Sequence, residues 1–188
     1  MKPIILASQS PRRKQLLEWA EIPFKVQVQE TDESYPAELQ PAEVAVHIAR
    51  NKALAVASSL NEDQVVLAAD TIVVLGNRII GKPKDTEDAV AILSDLSGNQ
   101  HQVITGVVVR RGGEEWSFSD TTDVVFHELS PAEIRFYVDN YKPFDKAGAY
   151  AIQEWIGVVG IKSVKGDFYN VMGLPVSRVS RLLREIQP

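Results

Sequence analysis

Two adjacent arginines stand where the sequence predicts the first turn of a helix. Ser10 and Pro11, which precede Arg12 and Arg13, are typical of an N-cap and a first helical position. Cations are unfavourable there, because the N-terminal end of a helix carries partial positive charge. A bound phosphate would reverse this, and Ser8 could add a hydroxyl donor. The pattern therefore indicates either a phosphate site or a solvated basic turn.

Two other charged residues interrupt apolar patterns. Lys52 shares one face of a predicted helix with Ala49 and Val56, so it either extends to the surface or meets an anion. Asp70 interrupts the apolar run from Val65 to Leu75. A carboxylate in a buried strand is costly unless it is paired, hydrogen-bonded or metal-bound. Asp70 is therefore a candidate functional residue, with a strand end or bulge as the alternative.

Further charged residues lie in predicted loops. Asp32 and Glu33 belong to an acidic loop whose oxygen atoms suit Mg²⁺ or Mn²⁺ when substrate phosphates complete the shell. Most acidic loops are simply solvated. Lys82 follows Gly81, and Lys146 lies two residues before Gly148. Such lysines are ordinary in surface turns and also common in phosphate-binding loops.

Composition excludes several classes of function. The 188 residues carry a formal net charge of −5, which disfavours general nucleic-acid binding. The absence of cysteine excludes disulfides and thiolate metal sites. No apolar segment is long enough to span a membrane, and the N-terminal one is too short for a signal-peptide core, so we expect a cytoplasmic protein. No P-loop motif occurs.

Strand-like and helix-like segments alternate over most of the chain. The patterns predict strands at 4–7, 24–29, 65–75, 102–111, 114–129 and 157–164, and helices at 11–20, 41–60, 86–96, from 131, and at 175–186. Gly112 and Gly113 predict a hairpin, which requires antiparallel pairing. We therefore expect one domain over 1–188, with an α/β fold in which helices flank a mixed sheet.

Several motifs in order resemble the Maf family of nucleoside triphosphate pyrophosphatases. They are ASQSPRR at 7–13, ADT at 69–71, GKP at 81–83, DKAGAYAIQ at 145–153 and VMGLP at 171–175. The match extends from Ile4 to the C-terminal helix. The resemblance implies an ITPase-like fold with two lobes and a central cleft, dependence on Mg²⁺ or Mn²⁺, and a homodimer.

The chain looks like the dTTP/UTP pyrophosphatase subgroup of that family. This similarity is carried by Arg12, Thr71 and Gln153, where the sister subgroup acting on 7-methylguanosine triphosphate has Trp, Gln and Glu. The implied reaction releases a nucleoside monophosphate and pyrophosphate, with a role in house-cleaning or cell division arrest. Gln153 carries both a donor and an acceptor, so it can pair with the O4/N3 edge of uracil or thymine.

The resemblance also implies roles for the charged residues. The residues expected to bind triphosphate oxygens are Ser8, Arg13, Lys52 and Lys82. Glu33 and Asp70 are expected to hold the metal, and Asp70 is the implied general base. Two other functions would leave the same pocket residues: a nucleotide-binding regulator of septum formation with little turnover, and an ITPase-like enzyme acting on non-standard purines.

Overall fold

The computed structural model describes residues 2–187, which form two compact units. The first unit comprises 2–71, 105–120 and 173–187, and the second comprises 72–104 and 121–172. Long strands contribute residues to both units. The prediction of a single domain over 1–188 stays a prediction. No helix within 2–187 is both long and apolar enough to cross a membrane.

Seven strands form one mixed sheet within the described residues. They are β1 (Ile4–Leu6), β2 (Phe24–Val26), β3 (Val65–Leu75), β4 (Arg78–Ile80), β5 (Gln100–Arg111), β6 (Glu114–Phe126) and β7 (Ile161–Lys165). The order is β2-β1-β3-β5-β6-β7, with β4 paired to β3. β1 is parallel to β2 and β3, whereas β4 and β7 pair antiparallel with β3 and β6. The predicted mixed sheet is confirmed.

Seven α-helices accompany the sheet within 2–187. They are α1 (Pro11–Trp19), α2 (Pro41–Ala57), α3 (Thr86–Leu96), α4 (Pro131–Tyr141), α5 (Trp155–Gly160), α6 (Phe168–Met172) and α7 (Val176–Ile186), with a 3₁₀ turn at Ala147–Ala149. Ser10 caps α1 by accepting from the Arg13 N–H, and Ser130 with Glu133 forms a capping box on α4. Both predicted helix starts are confirmed.

The predicted strand at 157–164 is wrong in its first half. Trp155–Gly160 is helix α5, and β7 begins only at Ile161. The β-branched pair Val158 and Val159 favoured a strand, but Ile156 and Gly160 are buried four residues apart while Val158 is 80% exposed. One buried face at helical spacing overrides the strand propensity. Elsewhere β2, α2 and β6 end about three residues earlier than predicted.

Helix α2 packs closely on β5 in the first unit. A Cβ at Gly106 would lie 2.3 Å from the carbonyl carbon of Ala45 and the amide nitrogen of Val46, so only glycine allows this approach. Ala49 and Ala53 continue the contact as part of a buried apolar cluster with strand residues. The small residues set the position of α2 and, with it, the position of Lys52.

A buried histidine lies in the core of the second unit. His101 is 1% exposed, and its Nε2 lies 2.7 Å from the Tyr150 hydroxyl. Its Nδ1 has no hydrogen-bond partner within 2–187, and its ring meets those of Phe126 and Tyr150 edge-on. Burial lowers the pKa of His101 from 6.5 to about 4. The imidazole is therefore neutral in the folded protein at neutral pH.

This burial predicts a specific loss of stability in acid. Between pH 6.5 and 4 the unfolded chain protonates His101 while the folded chain does not, so stability is full above pH 6.5 and falls as the pH drops. The slope approaches about 1.4 kcal/mol per pH unit. Urea unfolding across this range should show a shallower slope for His101→Gln than for wild type. His127→Gln, at an exposed position, is the control. Equal slopes for all three proteins would contradict the assignment.

Candidate active site

Lys52, on α2, meets two carboxylates of the first unit. Its Nζ lies 2.6 Å from Asp70 Oδ1 and 2.8 Å from Glu33 Oε1. The Lys52 and Asp70 side chains are 19% and 15% exposed, whereas Glu33 is 52% exposed. The sequence left open whether Lys52 reaches the surface or meets an anion. In the structure Lys52 meets two anions of the same chain, Glu33 and Asp70, and it neutralises the Asp70 carboxylate in β3.

The polar residues Asp70 and Thr71 lie at the centre of strand β3, between buried apolar stretches. Residues Val65 to Ala69 and Ile72 to Val74 are buried, while Asp70 and Thr71 between them are half-buried. Strand β3 runs without interruption from Val65 to Leu75, so the alternative of a strand end at Asp70 is wrong. The carboxylate is thus held by rigid backbone, which suits a group that must meet a substrate with defined geometry.

Arg13 joins three distant segments of the first unit. The side chain is 9% exposed; Nε donates to the Gly173 carbonyl at 2.8 Å, Nη1 to Ser8 Oγ at 3.1 Å and Nη2 to Thr71 Oγ1 at 3.0 Å. A guanidinium has five N–H donors, so two remain for another acceptor. Three residues predicted for the site, Ser8, Arg13 and Thr71, are therefore brought together, with Arg13 as their common partner.

The field around Arg13 combines burial with nearby charges. Burial lowers the pKa of Arg13, and the positive charge of Arg12 lowers it further. The negative charges of Asp70 and Glu33 raise this pKa and so offset part of the decrease. The guanidinium stays charged, because an arginine pKa is too high for such shifts to matter near neutral pH. Arg12 itself is half-buried in the first turn of α1, where no acidic residue is present. The excess of positive charge predicted for this turn is confirmed.

Thr105 belongs to this cluster and was missed by sequence reasoning. Its hydroxyl lies 2.9 Å from that of Thr71, and the residue is fully buried on β5. The available signal was a hydroxyl in the apolar run from Val103 to Val109. A buried hydroxyl requires a partner, so its pairing could be expected but the identity of the partner could not.

Lys82 and Gln153 lie in the second unit, and both are exposed. The Gly148 amide donates to the Gly81 carbonyl at 3.1 Å, which joins the loops that precede these two residues. Gly148 has φ 71°, and a Cβ there would lie 2.8 Å from Val73 Cγ2. The backbone therefore requires glycine at this junction, and the two loops are held to each other and to β3.

Buried polar contacts hold the segment that leads to Gln153. Lys146 is 8% exposed; its Nζ lies 2.8 Å from Asp145 Oδ1 and 3.6 Å from Glu154 Oε1. The Tyr137 hydroxyl donates to Glu154 Oε2 and accepts from the Ala151 amide at 3.2 Å. Sequence reasoning placed Lys146 in a phosphate-binding or surface turn and did not single out Tyr137 or Glu154. Lys146 instead pairs with carboxylates of its own unit.

The carboxylates that converge on Lys52 fit part of a divalent-metal site. Within the described residues, no three His, Cys, Asp or Glu side chains are grouped so as to hold a metal ion by themselves. Mg²⁺, however, is commonly bound by one or two carboxylates together with substrate phosphates and water. Asp70 and Glu33 supply hard oxygen atoms in a place already suited to a cation.

Two comparisons of sequence indicate one family, and a comparison of structures finds a similar fold. A family model described as Maf-like protein matches residues 3–186. A Cytophaga hutchinsonii protein named dTTP/UTP pyrophosphatase is 52% identical over 94% of this chain and 80% of its own. A Bacteroides thetaiotaomicron protein of the same name is 47% identical over 97% of this chain and 95% of its own. The solved Staphylococcus aureus Ham1 protein is similar in fold, with a TM-score of 0.54 at 18% identity, over 98% of this chain and 100% of that one.

Removal of the Lys52 ammonium should destabilise the protein in the absence of any ligand. Lys52→Ala leaves Asp70 beside Glu33 without their shared cation, at a cost of about 1–2 kcal/mol for this partly exposed group. The melting temperature should fall by roughly 3–6 °C. The double variant Lys52→Ala/Asp70→Asn should recover part of the loss, because a neutral amide replaces the less exposed of the two carboxylates. A single variant that melts like the wild type would contradict the ion pair.

Proposed function

Because the chain belongs to the Maf-like protein family, we propose that it is a metal-dependent nucleoside triphosphate pyrophosphatase acting on dTTP and UTP. The products are the nucleoside monophosphate and pyrophosphate. The observation that carries the proposal is the convergence of Glu33 and of Asp70, in the centre of β3, on the ammonium of Lys52, in a chain 52% and 47% identical to two proteins named dTTP/UTP pyrophosphatase. A homodimer, a cytoplasmic location and the absence of nucleic-acid binding stay predictions.

The triphosphate requires positive charge and N–H donors. Arg13 has two guanidinium N–H groups beyond its three internal hydrogen bonds, and it is held rigidly. Lys52 can share its ammonium between Asp70 and a phosphate oxygen. Lys82 is exposed and available to a ligand, and Ser8 adds a hydroxyl. Preorganised donors of this kind supply most of the catalysis in phosphate transfer, because little covalent chemistry is left for the protein.

Asp70 is the proposed general base. The bond from Lys52 uses Asp70 Oδ1, which leaves Oδ2 to accept a proton from the attacking water. The water oxygen bonds the α-phosphorus, the bond from that phosphorus to the bridging oxygen breaks, and pyrophosphate leaves. Glu33 and Asp70 would hold Mg²⁺ or Mn²⁺. A divalent ion bound there neutralises charge on the phosphates.

Selectivity for pyrimidines is proposed to depend on Arg12, Thr71 and Gln153. Gln153 is exposed and carries a donor and an acceptor for the O4/N3 edge of the base. The Thr71 hydroxyl already accepts from Arg13 and lies beside Thr105. Thr71 therefore acts mainly by orienting Arg13 rather than by meeting the base with a free hydroxyl.

A substrate panel tests the proposed function directly. Pyrophosphate release is measured for UTP, dTTP, CTP, GTP and ITP, with Mg²⁺, with Mn²⁺ and with chelator. Multiple turnover of UTP and dTTP that depends on metal supports the proposal. Binding of UTP without turnover would identify a nucleotide-binding regulator instead, and preferred hydrolysis of ITP would identify a purine house-cleaning enzyme.

Asp70→Asn should lower kcat on UTP by at least about 100-fold, because the amide cannot accept the proton. The amide keeps the shape of the carboxylate and can still accept from Lys52, so the protein should remain folded by circular dichroism. Asp32→Asn is the matched control, since Asp32 is exposed and bonds Ser34 in the same acidic loop as Glu33. Near-normal turnover by folded Asp70→Asn would remove Asp70 from the reaction.

Gln153→Glu should reduce activity on UTP and dTTP more than activity on GTP. The carboxylate loses the donor to O4 and places negative charge against that oxygen. Such a mismatch is worth roughly 1–3 kcal/mol, or about 5- to 150-fold in kcat/KM. Gln15→Glu, at an exposed position on α1, controls for the added charge. An equal decrease on all triphosphates would show that Gln153 does not read the base.

A further inference from the structure

The Tyr137 hydroxyl contacts the chain on both sides of Gln153. It accepts from the amide of Ala151 at 3.2 Å and donates to the carboxylate of Glu154. Tyr137 is fully buried on α4, and its ring stacks on that of Tyr141 with centroids 4.9 Å apart. Because one hydroxyl engages residues two before and one after Gln153, it restrains the backbone that carries this side chain.

The Glu154 carboxylate contacts residues outside the helix that it precedes. It is the N-cap residue of α5, yet its side chain makes no capping hydrogen bond to that helix. The two carboxylate oxygens instead face Tyr137 and Lys146, the latter at 3.6 Å. The carboxylate therefore joins α4 and Lys146 to the residue that follows Gln153.

A second anchor lies on the other side of the same segment. The Tyr150 hydroxyl meets buried His101, and both rings pack against Phe126. Residues Tyr150 to Ile152 are buried, whereas Gln153 is exposed. The chain is therefore held on both sides of Gln153, and among residues 150–153 only Gln153 is exposed.

We propose that Tyr137 and Glu154 are positioning residues that fix Gln153 for base selection; this inference depends on the proposed function. Neither side chain needs to touch substrate. Loss of the Tyr137 hydroxyl leaves the Ala151 amide without its acceptor and frees the Glu154 carboxylate from α4. The Gln153 amide then samples more orientations, and the gain from pairing with the base falls because ordering must be supplied on binding. Phosphate binding in the first unit is unaffected.

The test compares kcat and KM for UTP and GTP in Tyr137→Phe, Glu154→Ala and Glu154→Gln. Tyr137→Phe and Glu154→Ala should raise KM for UTP roughly tenfold, while kinetics on GTP stay within about twofold. Glu154→Gln keeps an oxygen that accepts from Tyr137, so it should behave like wild type. Tyr141→Phe, whose ring stacks on Tyr137, is the control for the neighbouring hydroxyl.

Amide hydrogen exchange supplies a readout that needs no substrate. Exchange at the Ala151 amide should accelerate in Tyr137→Phe and stay at the wild-type rate in Tyr141→Phe. Equal losses on UTP and GTP, or unchanged Ala151 exchange, would overturn the positioning role while the proposed function stands. Wild-type protein that releases no pyrophosphate from UTP would overturn the proposed function, and the role of Gln153 with it.

Discussion

The ion pair between Lys52 and Asp70 is the contact on which the first unit's polar site depends. Asp70 lies between buried stretches of β3, where an uncompensated carboxylate would be strongly unfavourable. Lys52 meets it at 2.6 Å because α2 packs closely on β5 through small residues at Gly106 and along its own face. Backbone packing thus brings the ammonium to the carboxylate. The same ammonium also holds Glu33, which links the acidic loop to the sheet.

Arg13 organises the neighbouring part of the site by hydrogen bonds to uncharged acceptors and not by an ion pair. It has little exposure and uses three N–H groups within the chain, to acceptors at Ser8, Thr71 and Gly173. These acceptors lie on the loop after β1, on β3 and on the turn before α7. A planar guanidinium with donors in fixed directions can satisfy all three while retaining donors for a ligand. The result is positive charge at the start of α1 that is supported from several directions.

The second unit positions its exposed side chains through buried polar contacts. The loops preceding Lys82 and Gln153 are joined at Gly148, and the segment up to Gln153 is held by Tyr137, Tyr150 and Glu154. Exposed residues on loops are ordinarily mobile, and a site built from them loses selectivity unless the loop is restrained. The buried hydroxyls supply this restraint, because each would be costly to leave without a partner.

The sequence by itself determined the mixed sheet, the main helices and the residues that break apolar patterns, because periodicity, caps and turn residues are local. It also indicated Arg12, Arg13, Lys52 and Asp70 as residues that require compensation. It could not identify Lys52 as the partner of Asp70, 18 residues away, or Gly173 as an acceptor for Arg13, 160 residues away. The strand predicted at 157–164 was wrong for the related reason that burial, which decides between helix and strand in a short apolar run, depends on distant packing. Tyr137 and Glu154 were not singled out because a tyrosine on a helix and a glutamate before one are locally ordinary. Their importance arises only where the tertiary structure brings both to the segment that carries Gln153.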